Sequence, residues 1–507
     1  MKAIAGALLL AALYAGSAHA VSWGMNCRPS SNPCTTESQA VVVAQRLHMD
    51  FYVVRVGVPH PIAKGLYASI AAARAAGAVI TVPTQGVDPI VDGTHVKVDN
   101  AAAFSVNDPI TSDVYPPGTT VTGKSGFTLT LSASATQYIN AATNYGVLSP
   151  GGLYSALSAA TPNPIPIELI IFNNVNGSAS DTAEIGCTSA VSCPSTSQAY
   201  KDDIDYMLEV QIAGAGMEAP FMLRADNEED GSSSSTCNGT SGITQGNCSV
   251  SLAWSGEQAY DGGNTAWWYF PKLHDVVNRA HAHGMLAVGS GVTVIGDQLT
   301  YWNNLWGGCS VGSCSCVGLT ACRVAADIYQ QGGFSKSLQQ SNLAGSLPTS
   351  CNVFSPPLRA RQTARAARTL GIIQDEITAG VDISNHHWYD IYWQSQAADY
   401  AWVKSVTGLP IMFDEWAPYS LSAYDMVTMA EGMTQVGAVY AAQWNQESAG
   451  NFPLARGLSN TDGTLRGSAL WFLAYRGFTG SAYSGGPVIP PYPNLLTGPP
   501  PPTAFGC

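Results

Sequence analysis

Two stretches of this sequence set acidic residues directly after an apolar run. In "LPIMFDEWAPYS", Asp414 and Glu415 follow Pro410-Ile411-Met412-Phe413, and in "PFMLRADNEEDG", Asn227 and Glu228 close a run that starts at Pro220. Such a run, bounded by turn-formers, reads as a strand covered on both faces. Its last residues project at the carboxyl edge of the sheet, where the chemistry of α/β barrels and open α/β sheets sits. Successive strand residues point to opposite faces, so Glu415 is expected at the mouth of the sheet and Asp414 against its wall. Carboxylates at the same end of two different strands are what glycoside hydrolysis needs. One stays ionised to attack or stabilise the anomeric carbon, and the other stays protonated to release the leaving oxygen.

Other strand ends add side chains to the same rim. "YVVRVG" supplies Arg55, "DISNHHWYDIYW" supplies His386, His387, Trp388 and Tyr389, and "AAQWNQESAG" supplies Trp444. Aromatic faces suit the apolar faces of sugar rings, and a tyrosine hydroxyl with an arginine can hold a carboxylate ionised. Each residue alone has a plainer reading: a glutamate after a strand is most often exposed, Arg55 can be a barrel-interior ion-pair partner, and Trp444 can be ordinary packing. Of the two adjacent histidines one must face away. The weight lies in their joint occurrence at successive strand ends.

Short apolar runs alternate with longer helical stretches, the pattern of a parallel sheet wrapped by helices. Strands are read at 21–26, 51–57, 78–83, 221–225, 285–290, 380–387, 409–413 and 438–443. Helices are read at 39–49, 66–76, 197–214, 266–283, 358–376, 394–407, 422–436 and 465–476. Eight strand–helix units fit an α/β fold of the (β/α)8 TIM-barrel type better than an open sheet, since nothing points to a reversal of strand order. Segment 86–150, with its "YPPGTTVTGKSGFTLTLSASAT", alternates like short antiparallel strands and reads as a small β-rich insertion after strand 3. The apolar run 165–172 is one strand too many: it belongs to the insertion or displaces the third strand. The expected organisation is a barrel at 21–85 and 151–480, the insertion between, and a Pro-rich tail at 481–507.

Residues 1–20 read as a secretory signal peptide, with Lys2, an apolar stretch and a Ser-Ala-His-Ala close, so an exported protein cleaved near Ala20 is expected. No later stretch is apolar enough to span a membrane. The 12 cysteines then read as disulfide staples, among them Cys27 with Cys34, Cys187 with Cys193 and Cys237 with Cys248. Zinc at Cys314 and Cys316 is the weaker reading, because paired knuckles are lacking. His281 and His283, two apart on a helix, make a poor metal pair. No cofactor and no metal are expected. A net charge of −13 with only 11% charged residues disfavours nucleic acid and leaves a neutral polysaccharide or oligosaccharide as the partner. Oligomeric state, sugar and linkage are not legible.

Taken together, Asn227-Glu228, His387-Trp388-Tyr389, Glu415 and Trp444 resemble the clan A glycoside hydrolases, a superfamily of retaining (β/α)8 enzymes, with a flavour similar to the β-xylosidase and α-iduronidase group and to endo-β-glucanases. The resemblance covers roughly 21–83 and 197–477. It implies Glu228 as general acid/base and Glu415 as nucleophile. Asn227 would bind the sugar 2-hydroxyl, Tyr389 would bond the nucleophile, Trp444 would be the platform under the sugar, and Arg55 would keep Glu415 ionised. Glu229-Asp230 stand where proline is common in the clan, and the double histidine leaves His386 against His387 open. The expectation is a secreted enzyme cleaving β-glycosidic bonds, endo-acting to judge from tryptophans such as Trp254, Trp267 and Trp302 in rim loops. The rival is an inactive carbohydrate-binding or cell-surface barrel.

Overall fold

A computed structural model describes residues 21–27, 34, 36–57, 59–85, 93–135, 152–172, 198–225, 269–291, 376–388, 400, 404, 407–417, 423–445 and 457–492. Eight parallel strands form one sheet: β1 (Ser22–Asn26), β2 (Phe51–Gly57), β3 (Ile167–Phe172), β4 (Met222–Ala225), β5 (Leu286–Val288), β6 (Ser384–Trp388), β7 (Ile411–Trp416) and β8 (Ala438–Trp444). Each pairs with its sequence neighbour and β8 pairs with β1, so the strand order runs once around without reversal. Between β5 and β6 the circuit is joined by a bridge of Val288 to Ile383, with Gly289 N–H donating to Ile383 O at 3.0 Å. This is the expected TIM barrel.

Local signals explain the punctuation. Thr36 accepts from the Gln39 N–H at 3.2 Å and caps the helix Glu37–Arg46, whose acidic first turn and basic last turn complement the helix dipole. Gly437, at φ 71°, ends the helix Ala423–Val436 and turns the chain directly into β8. Outward strand residues such as Leu169, Leu223, Ala287, Phe413 and Ala441 join the helices in one apolar core. Inside the barrel, Phe51, Val53, Ile170 and Ala442 pack as one cluster and Met222, Val288, Ile383 and Met412 as another. The Phe51 ring occupies the space where a side chain at Gly24 would lie, 2.5 Å from a Cβ placed there. Barrel interiors fill in such layers, and the polar residues are left to the carboxyl-terminal end.

The third barrel strand is Ile167–Phe172, paired on both sides, and it displaces the run at 78–83. That run forms only short antiparallel pieces, with Val79 40% exposed. The added strands therefore begin right after β2 rather than after a third strand. One sheet orders Ile80–Thr81, Ile62–Lys64 and Ile110–Thr111, and another orders Pro83–Gln85, His95–Val98, Thr128–Leu131 and Val121–Ser125. They enclose their own core of Ile62, Val96, Phe104, Val121 and Leu129. At the other end of the chain, Gly480–Ser481 and Val488–Ile489 pair antiparallel, and Ala482 and Ile489 join the main core. The start of the Pro-rich segment is thus packed.

Cys27 and Cys34 form a disulfide, as their spacing led us to expect. The other cysteines, residues 1–20, and most of the helices read at 358–376 and 394–407 lie outside the described residues. Among the described residues, no helix is long and apolar enough to cross a membrane.

Candidate active site

The carboxyl end of β7 departs from simple alternation. Ile411, Phe413 and Trp416 face the helix layer, and Met412 faces the barrel interior. Between them the register against β6 slips: Asn385 opposes Met412, yet His387 opposes Glu415, so two residues of β6 match three of β7. The extra residue is a β-bulge, a device that re-aims side chains at the rims of barrels. Asp414 and Glu415 consequently both reach His387, on the inner side. The expected wall position for Asp414 is not found: alternation from Met412 already points it inward, and the bulge brings Glu415 in beside it before Trp416 returns to the helix side.

Four strands converge on this pair. Arg55 of β2 forms an ion pair with Glu415, and Arg224 of β4 forms one with Asp414. His387 stands between the acids, with Nε2 3.1 Å from Asp414 and Nδ1 3.5 Å from Glu415. Asn26 of β1 donates from Nδ2 to Glu415 Oε1 at 3.4 Å and to the Asp414 carbonyl at 3.3 Å. Asn385 fixes the bulge by accepting from the Asp414 N–H at 3.1 Å and donating to the Gly289 carbonyl at 3.3 Å. All of these side chains are buried. Just past β5 the chain passes His387 so closely that a Cβ at Gly291, itself at φ 76°, would lie 2.4 Å from Nε2. Only glycine suits that position.

Trp444 lies beside Asn26 in the β8–β1 register, with the Arg55 guanidinium 5.2 Å from its ring centroid. That is within cation–π range. Below this polar layer, Glu168 of β3 sits in register with Val53 and Met222, fully buried. Neither of its carboxyl oxygens has a hydrogen-bond partner among the described residues. Burial pushes its carboxyl up to about 7, against the pull of Arg224 and Arg55.

Of the residues read from the sequence, Arg55, His387, Glu415 and Trp444 meet in one place. His386 does not join them: it packs against Tyr400 and Phe413 on the helix side, within 3.1 Å of the Ser384 hydroxyl. Burial and the neighbouring His387 pull it down to about 3, so it is neutral there. Strand alternation places only one of the two histidines inside, and it is His387. Asn227, Glu228 and Tyr389 lie outside the described residues. Sequence reasoning missed Asn26, Arg224, Asn385 and Glu168. The signal was present for two of them, since "FMLRA" and "PIELIIF" each carry one charge inside an otherwise apolar strand, which is rare unless the charge is paired.

Chemically, the arrangement presents one carboxylate, Glu415, held on one oxygen by a guanidinium and an amide and approached on the other by an imidazole. Charge-assisted donors of this kind stabilise an anion and fix its direction. The Asp414–Arg224 pair orients His387 from the other side.

No protein-family model matches the sequence, and no curated protein matches it. Several solved structures are similar to it. A family 128 (subgroup VI) exo-β-1,3-glucanase from Aureobasidium namibiae is 11% identical, over 62% of this chain and 86% of that one, with a TM-score of 0.27. An endo-β-1,4-mannanase from Thermotoga petrophila is 9% identical, over 90% of this chain and 76% of that one, with a TM-score of 0.42. An oligosaccharide-binding protein from Cryptococcus neoformans is 12% identical, over 56% and 76% of the two chains, with a TM-score of 0.23.

Proposed function

We propose that the protein is a secreted, retaining glycoside hydrolase that cleaves β-glycosidic bonds within a polysaccharide or oligosaccharide. The observation that carries this reading is Glu415, set inside the carboxyl end of the barrel and gripped by Arg55, Asn26 and His387. In the proposed reaction the Glu415 carboxylate attacks the anomeric carbon while Glu228 gives its proton to the departing glycosidic oxygen. Water then attacks the glycosyl–enzyme ester, losing its proton to Glu228, and Glu415 leaves as the carboxylate. Trp444 serves as the platform under the sugar, Asn227 and Tyr389 as its polar contacts, and Arg55 as the counter-ion that holds the nucleophile anionic. Export rests on the N-terminal leader, and endo-action on the tryptophan-rich loop sequences.

The test is hydrolysis of a panel of defined β-linked oligosaccharides, with the anomeric form of the first product followed by NMR. Retention, with internal cleavage products, is expected. Inversion would sink the double displacement, and release of terminal monosaccharides alone would sink endo-action. Saturable oligosaccharide binding without any turnover would favour the binding barrel instead.

A further inference from the structure

A second histidine also lies between two acids. His60, in the segment after β2, has Nδ1 2.6 Å from Asp113 Oδ2 and 3.1 Å from Asp203 Oδ2. Asp113 follows the inserted strand Ile110–Thr111 and Asp203 lies on the helix Gln198–Tyr206, so the trio joins three separate parts of the chain. Its side chains are nearly closed to solvent, at 9% exposure for His60, 5% for Asp113 and 0% for Asp203. One ligand atom from each lies within 4.8 Å of the other two.

Two observations separate this trio from an ordinary acidic cluster. Among the described residues neither aspartate has an ion pair with lysine or arginine; His60 is the sole cationic partner of both. In addition, Oδ1 of Asp113 and Oδ1 of Asp203 are buried and take no N–H or hydroxyl donor, and the two carboxyls approach within hydrogen-bond reach of each other, so they share a proton or a cation. Buried charges are paired or coordinate metals, because leaving them bare in a low-dielectric interior is costly. Here the open valences belong to a fully buried aspartate and to its neighbour across the same histidine.

We propose that His60, Asp113 and Asp203 form a structural site for one divalent cation of the zinc or manganese type, which clamps the inserted sheets to the helix layer of the barrel. The donor set, one imidazole nitrogen with two carboxylates, suits these ions better than calcium, which takes six to eight oxygens. An ion bound at about 2.1 Å requires ligand atoms roughly 3 to 3.4 Å apart. The Asp203 contact already has that spacing, and the Asp113 contact reaches it by opening about 0.5 Å. Second oxygens or water complete the coordination. Nearby, Ala63, Ile70, Val82 and Tyr206 pack the same two parts of the chain together, so the clamp would reinforce an existing apolar contact.

The experiment uses the full chain without a histidine tag, stripped with chelator and reloaded separately with Zn²⁺, Mn²⁺ or Ca²⁺. Bound metal is measured by elemental analysis and stability by thermal unfolding. One equivalent of Zn²⁺ or Mn²⁺ is expected, with Tm rising by roughly 3 °C at a hundredfold excess over Kd. Both effects are expected to vanish in Asp203→Asn, and in Asp113→Asn should the first variant fail to fold. Failure of the wild-type chain to take up Zn²⁺ or Mn²⁺ would overturn the proposal, leaving a protonated ion-pair cluster. So would uptake that persists unchanged in both variants, and so would uptake of Ca²⁺ alone.

Discussion

The molecule holds two copies of one local motif, a buried histidine between two carboxylates, in two electrical settings. At the barrel mouth His387 separates Asp414 from Glu415, and each acid has its own guanidinium, Arg224 and Arg55. At the edge of the inserted sheets Asp113 and Asp203 meet the same nitrogen of His60, and no guanidinium or ammonium is paired with either acid among the described residues. Without added cations the second trio balances itself with protons. Although burial pulls His60 down, the charges and hydrogen bonds of Asp113 and Asp203 raise it to about 10. Burial and Asp113 push Asp203 well above the carboxylate range. The contrast teaches that residue types alone do not set the role of such a trio. Fixed arginines give each acid its own counter-ion, whereas their absence leaves a place for protons or a metal.

The largest expected effect comes from removing the proposed nucleophile. Glu415→Gln should lower kcat by about 10⁴-fold or more, with folding intact by circular dichroism. A loss below tenfold would remove Glu415 from the chemistry and erase the proposed difference between the two trios.

Next in size is loss of a balancing charge. Arg224→Met leaves Asp414 buried without its cation and should cost about 3–5 kcal/mol in urea unfolding. Adding Asp414→Leu should recover much of that cost, since replacing both partners by apolar groups is far milder than orphaning one. If Arg224→Met costs less than about 1 kcal/mol, His387 rather than Arg224 balances Asp414.

Glu168 sharpens the same point through pH. Its carboxyl is raised to about 7 in the fold from an ordinary value of 4.5. Between those values the folded state therefore binds more protons than the unfolded chain, and stability must fall as pH rises across this window. The expected loss is on the order of 3 kcal/mol from pH 4 to pH 8. Glu168→Gln should flatten that part of the stability–pH curve. An unchanged slope in the variant would show that another group carries it.

The smallest expected effect lies in the activity of the second trio's variants. Asp203→Asn should change kcat by less than about twofold on any glycoside the wild type cleaves, because a structural clamp touches no substrate. A tenfold fall would tie the trio to catalysis and end the division of roles.

Much of the barrel was legible in the sequence because strands buried on both faces read as unbroken apolar runs, and seven of the eight barrel strands were read at or near their positions. The third was ambiguous because 78–83 and 165–172 both have strand composition, and only pairing with β2 and β4 decides between them. At the site, Arg55, His387, Glu415 and Trp444 were legible as polar or aromatic ends of such runs. That Asp414 and Glu415 both face inward was not, since a bulge is a property of the β6–β7 register and leaves no mark in β7 alone. Nor was the His60 trio, whose members lie 53 and 143 residues apart along the chain.

The central claim is that Glu415 is a nucleophile poised by Arg55 and Asn26. Its most direct test is intact-protein mass spectrometry after exposure to a panel of 2-deoxy-2-fluoro β-glycosides, followed by peptide mapping. The account predicts a single glycosyl adduct on Glu415, lost in Glu415→Gln. An adduct on another residue, or full turnover of a natural β-glycan with no adduct from the matching fluoroglycoside, would contradict it.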